Sequence, residues 1–200
     1  MAVATQRPYH HGNLRSELLA CAERALGEGG LGQLSLRDLA RQAGVSHAAP
    51  RRHFADKQAL LDALAQDGFE RLGRELREAM DDAGEDFDAR LAALARSYVR
   101  FATRHAALLE LMFASKHRPD AADSLRAAGE AAFAAPLALI TDGQASGAVV
   151  PGDPEVVATV AWATVQGLAS IANAGMLDDA ALDGLVTSAT ERLVLGLRPR

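Results

Sequence analysis

The sequence predicts an all-α chain, and three observations carry that reading. Apolar residues recur at three- and four-residue spacing in segment after segment. No stretch sustains a period-two alternation of β-branched residues. Residues that start and stop helices, such as Ser35, Gly44 and Asp153-Pro154, punctuate the segments.

A first helix is expected from Asn13 to Leu26, with Leu14, Leu18, Ala22, Ala25 and Leu26 as its inner stripe and the glycines from Gly27 to Gly30 ending it. The run Gly27 to Gly32 spells G-x-G-x-x-G. It follows a helix rather than a strand, and no βαβ unit surrounds it, so it is not read as a nucleotide site. Ser35 opens a second helix: its hydroxyl can accept from the backbone three residues on, and Asp38 can reach back. Leu36, Leu39, Ala40 and Ala43 share one face, and Gly44 supplies the left-handed stop. Val45 plugs the corner. Ser46 caps a third, short helix in which His47 and Arg51 share a face, as do Ala48 and Arg52. Ala48 and Ala49 are small enough to let the backbone approach a duplex. Pro50 falls within the first turn, where a missing N–H is tolerated best. Phe54 is the anchor to the core. Asp56 caps a further helix and leaves Lys57 beside backbone N–H groups, an arrangement suited to phosphate. Two short helices joined by a glycine turn, the second basic, form a helix-turn-helix and point to double-stranded DNA.

The helix from Lys57 should reach about Asp82, linking this head to the rest, with a polar break from Gly84 to Asp88. Helices follow over Ala89–Thr103, around Leu108–Phe113, and from about Asp120 to Ala145, where Pro136 predicts a kink or a split. Asp153-Pro154 starts the next. No charged residue occurs between Val156 and Leu177, a length that can span a bilayer. Polar residues interrupt it and no basic flank orients it, so no membrane span is expected. It carries two apolar stripes instead: Val156, Val160, Ala163, Gly167 and Ile171, and Val157, Ala161, Val165, Leu168 and Ala172. A helix apolar on two sides needs cover on two sides. The final helix, with Leu182, Leu185, Val186, Ala189, Leu193 and Leu197, helps, and two such helices paired with their copies make a four-helix bundle. The division expected is residues 1–60 and 61–200.

The chain is acidic overall, with 21 Lys and Arg against 26 Asp and Glu, a net charge of −5. The asymmetry matters more. Residues 1–60 carry 8 basic and 5 acidic side chains, whereas residues 61–200 carry 13 and 21. The helix-turn-helix end is therefore the basic end, and His10, His11, His47 and His53 add to it when protonated. Cys21 is the only cysteine, so no intrachain disulfide is expected. No charged-then-apolar segment opens the chain, and a cytoplasmic protein is expected. G-x-S-x-G, H-E-x-x-H, P-loop and paired-cysteine motifs are missing, so no enzyme is expected. His105 and His117 stand alone without metal-ligand spacing; no metal and no cofactor are expected. Asp81-Asp82 and Asp178-Asp179 fall at helix ends, where solvation and capping account for them.

The run from Leu36 to Leu61 resembles the DNA-binding domain of the tetracycline-repressor (TetR) family: a short helix, Gly44-Val45-Ser46, a short segment ending in His53-Phe54, then Lys57 and an apolar helix. One position departs, since the family pattern has a phosphate-contacting tyrosine two residues before the His-Phe pair and this chain has Arg51. Arginine also binds phosphate, or bonds a guanine edge. Trp162, Gln166 and Gly167 resemble the W-x-x-x-H-G pattern of one branch of the family, with Gln in place of His.

The resemblance implies a transcriptional repressor released from a palindromic operator by a small-molecule effector. The C-terminal helical domain would bind that effector and form a homodimer through the last two helices. On this reading Arg51, His53 and Lys57 grip phosphates, His47, Ala48 and Arg52 meet bases, Ala49 allows close approach, Ser35 and Ser46 are mainly caps, and Arg37 is a candidate backbone contact. Tyr98, Phe101, Leu108, Met112, Phe113, Phe133, Trp162 and Gln166 are the candidate effector-lining residues. Gln166 is the sharpest clue among them, because a polar side chain in an apolar run needs a partner or a ligand. The residues leave two alternatives open: a helical small-molecule-binding protein that has lost specific DNA binding, and an enzyme on a helical fold.

Overall fold

A computed structural model describes residues 14–199, and all regular structure among them is helical. His10, His11 and Asn13 lie outside the described residues. The chain divides into two units, Met1–Leu64 and Ala65–Arg200.

In the first unit, α1 (Leu14–Gly29) buries Leu14, Leu18, Leu19, Cys21, Ala22 and Leu26. It continues through Gly27, beyond its expected end, and stops at Gly30, where φ is +68°. A 3-10 turn, Leu31–Gln33, follows. α2 (Leu36–Gln42) starts at Ser35, whose hydroxyl oxygen accepts from the Asp38 N–H at 3.1 Å and donates to the Asp38 carboxylate at 2.6 Å. It stops at Gly44, which takes φ +66° so that the Val45 N–H can turn back to the Ala40 carbonyl at 2.9 Å. α3 (Lys57–Asp82) has the span expected for it, and the Asp56 carboxylate accepts the Ala59 N–H at 2.8 Å. It carries residues of both units.

The second unit contains α4 (Phe87–Arg104), α5 (Ala106–Lys116), α6 (Asp123–Ala145), α7 (Pro154–Asn173) and α8 (Asp179–Leu197). Aspartates start three of them: Asp86, Asp153 and Asp178 accept the N–H groups of Ala89, Glu155 and Ala181 at 2.8, 2.9 and 2.7 Å. α4 packs on α6, α7 and α8, and α7 also packs on α6 and α8. α6 runs as one helix through Pro136, without the split that proline allows. The end of α8 is tied down twice. The Val150 N–H donates to the Leu197 carbonyl, and Arg198 pairs with Asp88, each at 2.7 Å.

Helices approach closely where glycine removes a Cβ. One at Gly68 would stand 2.6 Å from Met112 Sδ, and one at Gly73 would stand 3.0 Å from the Ala132 Cα. Among the described residues α7 alone is long and apolar enough to cross a membrane. It buries Ala161, Val165, Leu168 and Ala169 against its own unit. Val156, Val160 and Ile171 are 60%, 56% and 39% exposed. Of the stripe expected on α8, Leu185 faces out, while Leu182, Val186 and Leu197 are buried together with Val194.

Two glycine substitutions should move stability in opposite directions. Gly27 lies in helical backbone with open space around it, so Gly27→Ala should stabilise by about 0.5–1 kcal/mol. Gly73→Ala gains the same propensity but forces a backbone shift, for a net destabilisation of ~1 kcal/mol. Urea unfolding of each variant measures both.

Candidate functional site

The segment after Gly44 is wound more tightly than the α-helix expected from sequence. Residues 46–49 form a turn and Pro50–Arg52 a 3-10 turn. The cause is Pro50, which has no N–H to donate to the Ser46 carbonyl four residues back. That carbonyl takes the Ala49 N–H at 2.9 Å instead, and the i→i−3 pattern continues from Arg52 to Ala49 at 3.2 Å and from His53 to Pro50 at 3.0 Å. Pro50 is buried, and Phe54 is 2% exposed beneath the Arg15 guanidinium, 5.7 Å from its ring centroid. Two inward residues thus pin the turn.

The other side chains of the turn point out. His47, Ala48, Arg51, Arg52 and His53 are exposed and Ala49 is half-buried. Ser46 and Arg37 are exposed as well. Ser35 is engaged as a cap. Its hydroxyl, more than the Arg41 guanidinium at 3.3 Å, holds the Asp38 carboxyl below the usual carboxylate range. Lys57 is exposed, and its ammonium donates to the Leu31 carbonyl at 2.6 Å. An ammonium has three donors, so two remain for a phosphate.

The second unit contains a partly open cavity of about 660 Å³. Four aromatic side chains wall it: Tyr98 from α4, Phe113 from α5, Phe133 from α6 and Trp162 from α7. Trp162 lies 5.9 Å from Phe113 and 6.2 Å edge-on from Phe133, and Tyr98 is 6.5 Å from Phe133. Leu91, Leu94 and Ala95 complete the α4 wall. Gln166 does not line the cavity but stands behind it, accepting the Tyr98 hydroxyl at 2.5 Å. Burial pushes the Tyr98 hydroxyl up to about 12; the nearby Trp162 indole N–H opposes that rise. The Trp162 Nε1 itself is shut off from solvent and falls short of hydrogen-bond geometry.

Besides Gln166, three more of the expected lining residues are elsewhere. Phe101, Leu108 and Met112 are buried in the core and do not border the cavity. The reason is that α4 and α5 bury more than one face: Met112 and Leu108 turn toward Gly68, and Phe101 lies under the Arg71 guanidinium at 5.8 Å. Lys116 and His117 were not singled out as lining residues and do border the cavity. Charged groups at a helix end read as solvated, so only the mid-helix Gly129 opposite Lys116 hints at them.

The sequence pattern of "Bacterial regulatory proteins, tetR family" matches residues 18–64, and that of the "Tetracyclin repressor-like, C-terminal domain" matches residues 91–194. A solved structure of a protein of unknown function from Rhodococcus sp. RHA1 is 49% identical, with TM-score 0.89 over 97% of this chain and 100% of its own. A TetR family transcription regulator from Marinobacter aquaeolei VT8 gives TM-score 0.77 at 18% identity, covering 94% of this chain and 97% of its own. The fatty acid degradation regulator FadR from Bacillus halodurans gives TM-score 0.76 at 18% identity, covering 97% of this chain and 100% of its own. These last two likenesses are of fold alone. No curated protein matches the chain.

The Tyr98 site makes a pH prediction. Its folded pKa is raised from 10.0 to about 12, so the stability it contributes is complete below pH 10 and is lost as pH rises toward 12. Alkaline unfolding of Tyr98→Phe should lack this component, and ultraviolet titration of the native chain should show one late-titrating tyrosine.

Proposed function

The chain belongs to the TetR family of bacterial transcription regulators, and from that premise we propose that it is a repressor released from a palindromic operator by a small-molecule effector. The observation that supports DNA reading most directly is the 46–53 turn, pinned by buried Pro50 and Phe54 while His47, Ala48, Arg51, Arg52 and His53 face out. Arg51, His53 and Lys57 grip phosphates; His47, Ala48 and Arg52 meet base edges in the major groove. Arg37 adds a backbone contact, and Ser35 and Ser46 hold the turn. The 660 Å³ cavity is of a size that buries a small organic molecule, which supports the effector role. The protein acts in the cytoplasm, where its DNA is.

The exposed stripe Val156, Val160 and Ile171 on α7, with Leu185 on α8, supports a homodimer through the last two helices. A two-fold axis presents two heads to successive major grooves, ~34 Å apart or a multiple of it. The effector then acts by binding better to the state whose heads miss that spacing.

Two measurements test this reading. In a gel shift against DNA flanking its own coding region, log K should fall with log salt with a slope of about −7, from roughly eight phosphate contacts per dimer. Arg51→Ala should weaken every sequence alike and reduce that slope by about 2, one contact per head. Relaxed preference at one base pair would assign Arg51 to a base instead, and no specific shift at low salt would overturn the DNA-reading role. Separately, Val160→Glu places a charge in the exposed stripe and should convert a dimer to a monomer in light scattering. A wild-type monomer, or an unchanged dimer, would move the interface away from α7.

A further inference from the structure

We infer that the cavity is built for an aryl-bearing monocarboxylate whose carboxylate is taken by Lys116. This rests on the reading of the cavity as an effector site and names the chemistry of its ligand.

Lys116 is the last residue of α5 and borders the cavity. A cation at a helix C-terminus is ordinarily explained by the helix dipole, and it then extends into water. Lys116 does not. It is half-buried, and its stem crosses α6 at Gly129: a Cβ there would stand 2.6 Å from Cδ, 2.9 Å from Cε and 3.1 Å from Nζ. Gly129 is buried in mid-helix, where glycine costs about 1 kcal/mol relative to alanine. That cost goes with the space the lysine occupies. The ammonium ends 5.9 Å from the Phe69 ring centroid, and no carboxylate among the described residues pairs with it.

The residue type is informative. The chain has 19 arginines and two lysines, Lys57 and Lys116. At position 116 the compact ammonium, a point charge on a thin stem, passes Gly129 where a planar guanidinium is wider. The neighbouring His117 adds a polar group of a different kind: its Nδ1 donates to the Phe113 carbonyl at 2.7 Å, which leaves Nε2 for other partners.

The rest of the lining sets the body and the charge of the ligand. Tyr98, Phe113, Phe133 and Trp162 present ring faces and edges, which suit an aromatic body. Glu130 and Glu155 also border the cavity and are exposed. As solvent-screened carboxylates they oppose any anion weakly, and a doubly charged phosphate ester more than a singly charged carboxylate.

Trp162 is the only tryptophan, so the emission of the full-length chain reports on the cavity directly. The probes are 4-phenylbutyrate, its amide, 4-phenylbutylammonium and octanoate. The acid should bind at least about tenfold more tightly than the amide and the ammonium, and more tightly than octanoate. Lys116→Met should bring the acid down to the level of the amide and leave the amide within about twofold. Gly129→Ala keeps the charge but displaces the stem; it should weaken the acid more than the amide, and it tests the inference if Lys116→Met does not fold.

An amide or ammonium as tight as the acid overturns the inference, as does acid binding that survives both substitutions or the absence of any response to the acid. Octanoate as tight as the acid overturns the aryl assignment. A gel shift with and without 4-phenylbutyrate separates the two readings. Acid binding with an unchanged shift upholds the ligand chemistry and removes the effector role. A specific shift without acid binding removes the ligand chemistry and leaves the regulator.

Discussion

The helices of the C-terminal unit close on one another where glycine removes a Cβ and stand apart where aromatic rings intervene. Gly68 and Gly73 on α3 meet Met112 and Ala132, and Gly143 on α6 meets Val149 and Phe87. A core of this kind, dominated by Ala, Leu and Val, gains most when backbones come near. Aromatic residues are only 4% of the chain, and four of them surround one space. Rings with centroids about 6 Å apart, contributed by four different helices, cannot fill the volume between those helices completely. A cavity lined by ring faces is the consequence. The same constraint explains why Gly129 is needed: without it the Lys116 stem would have no route past α6.

Much of this was legible in the residues because local chemistry decided it. Ser35 with Asp38 marks a helix start, Gly44 with Val45 a reversal, and Asp153-Pro154 another start, and none needs tertiary information. The span of α3 followed for the same reason, from Asp56 at its head and a polar break beyond Asp82. The winding of 46–53 did not follow. Proline in the first turn reads as tolerated, yet the Ser46 carbonyl it leaves open is claimed three residues on rather than four. Pro136 gave the opposite surprise: α6 continues through it, held from α4 and α7.

The cavity was only half legible. An apolar stripe tells that a face is buried but not whether it meets a neighbour or a void. Tyr98 and Phe101 are three residues apart on α4, and only Tyr98 borders the space. Gln166 stands out in the sequence as a polar residue in need of a partner or a ligand; in the structure it accepts the Tyr98 hydroxyl and does not border the cavity. Lys116 was invisible for a different reason, since a charged residue closing a helix already has a sufficient explanation in solvation and the dipole.

Under the proposed function, α7 is where ligand and pairing meet. It contributes Ala158, Thr159, Ala161, Trp162 and Val165 to the cavity, and Val156, Val160 and Ile171 to the exposed stripe. Residues three or four apart on one helix cannot move independently, because the backbone between them is hydrogen-bonded throughout. A ligand that displaces Trp162 therefore displaces Val160 with it, unless the helix bends. Asp153 caps its start, and the Asn173 side chain holds its end by donating to the Ala102 carbonyl on α4 at 3.1 Å. With both ends fixed, the motion open to α7 is a small rotation or translation as a unit, and a dimer built on its outer face would feel it directly. The energy available for that motion is limited to the difference in ligand affinity between the two positions of the helix, so an effector that bound both positions equally would release nothing however tightly it bound.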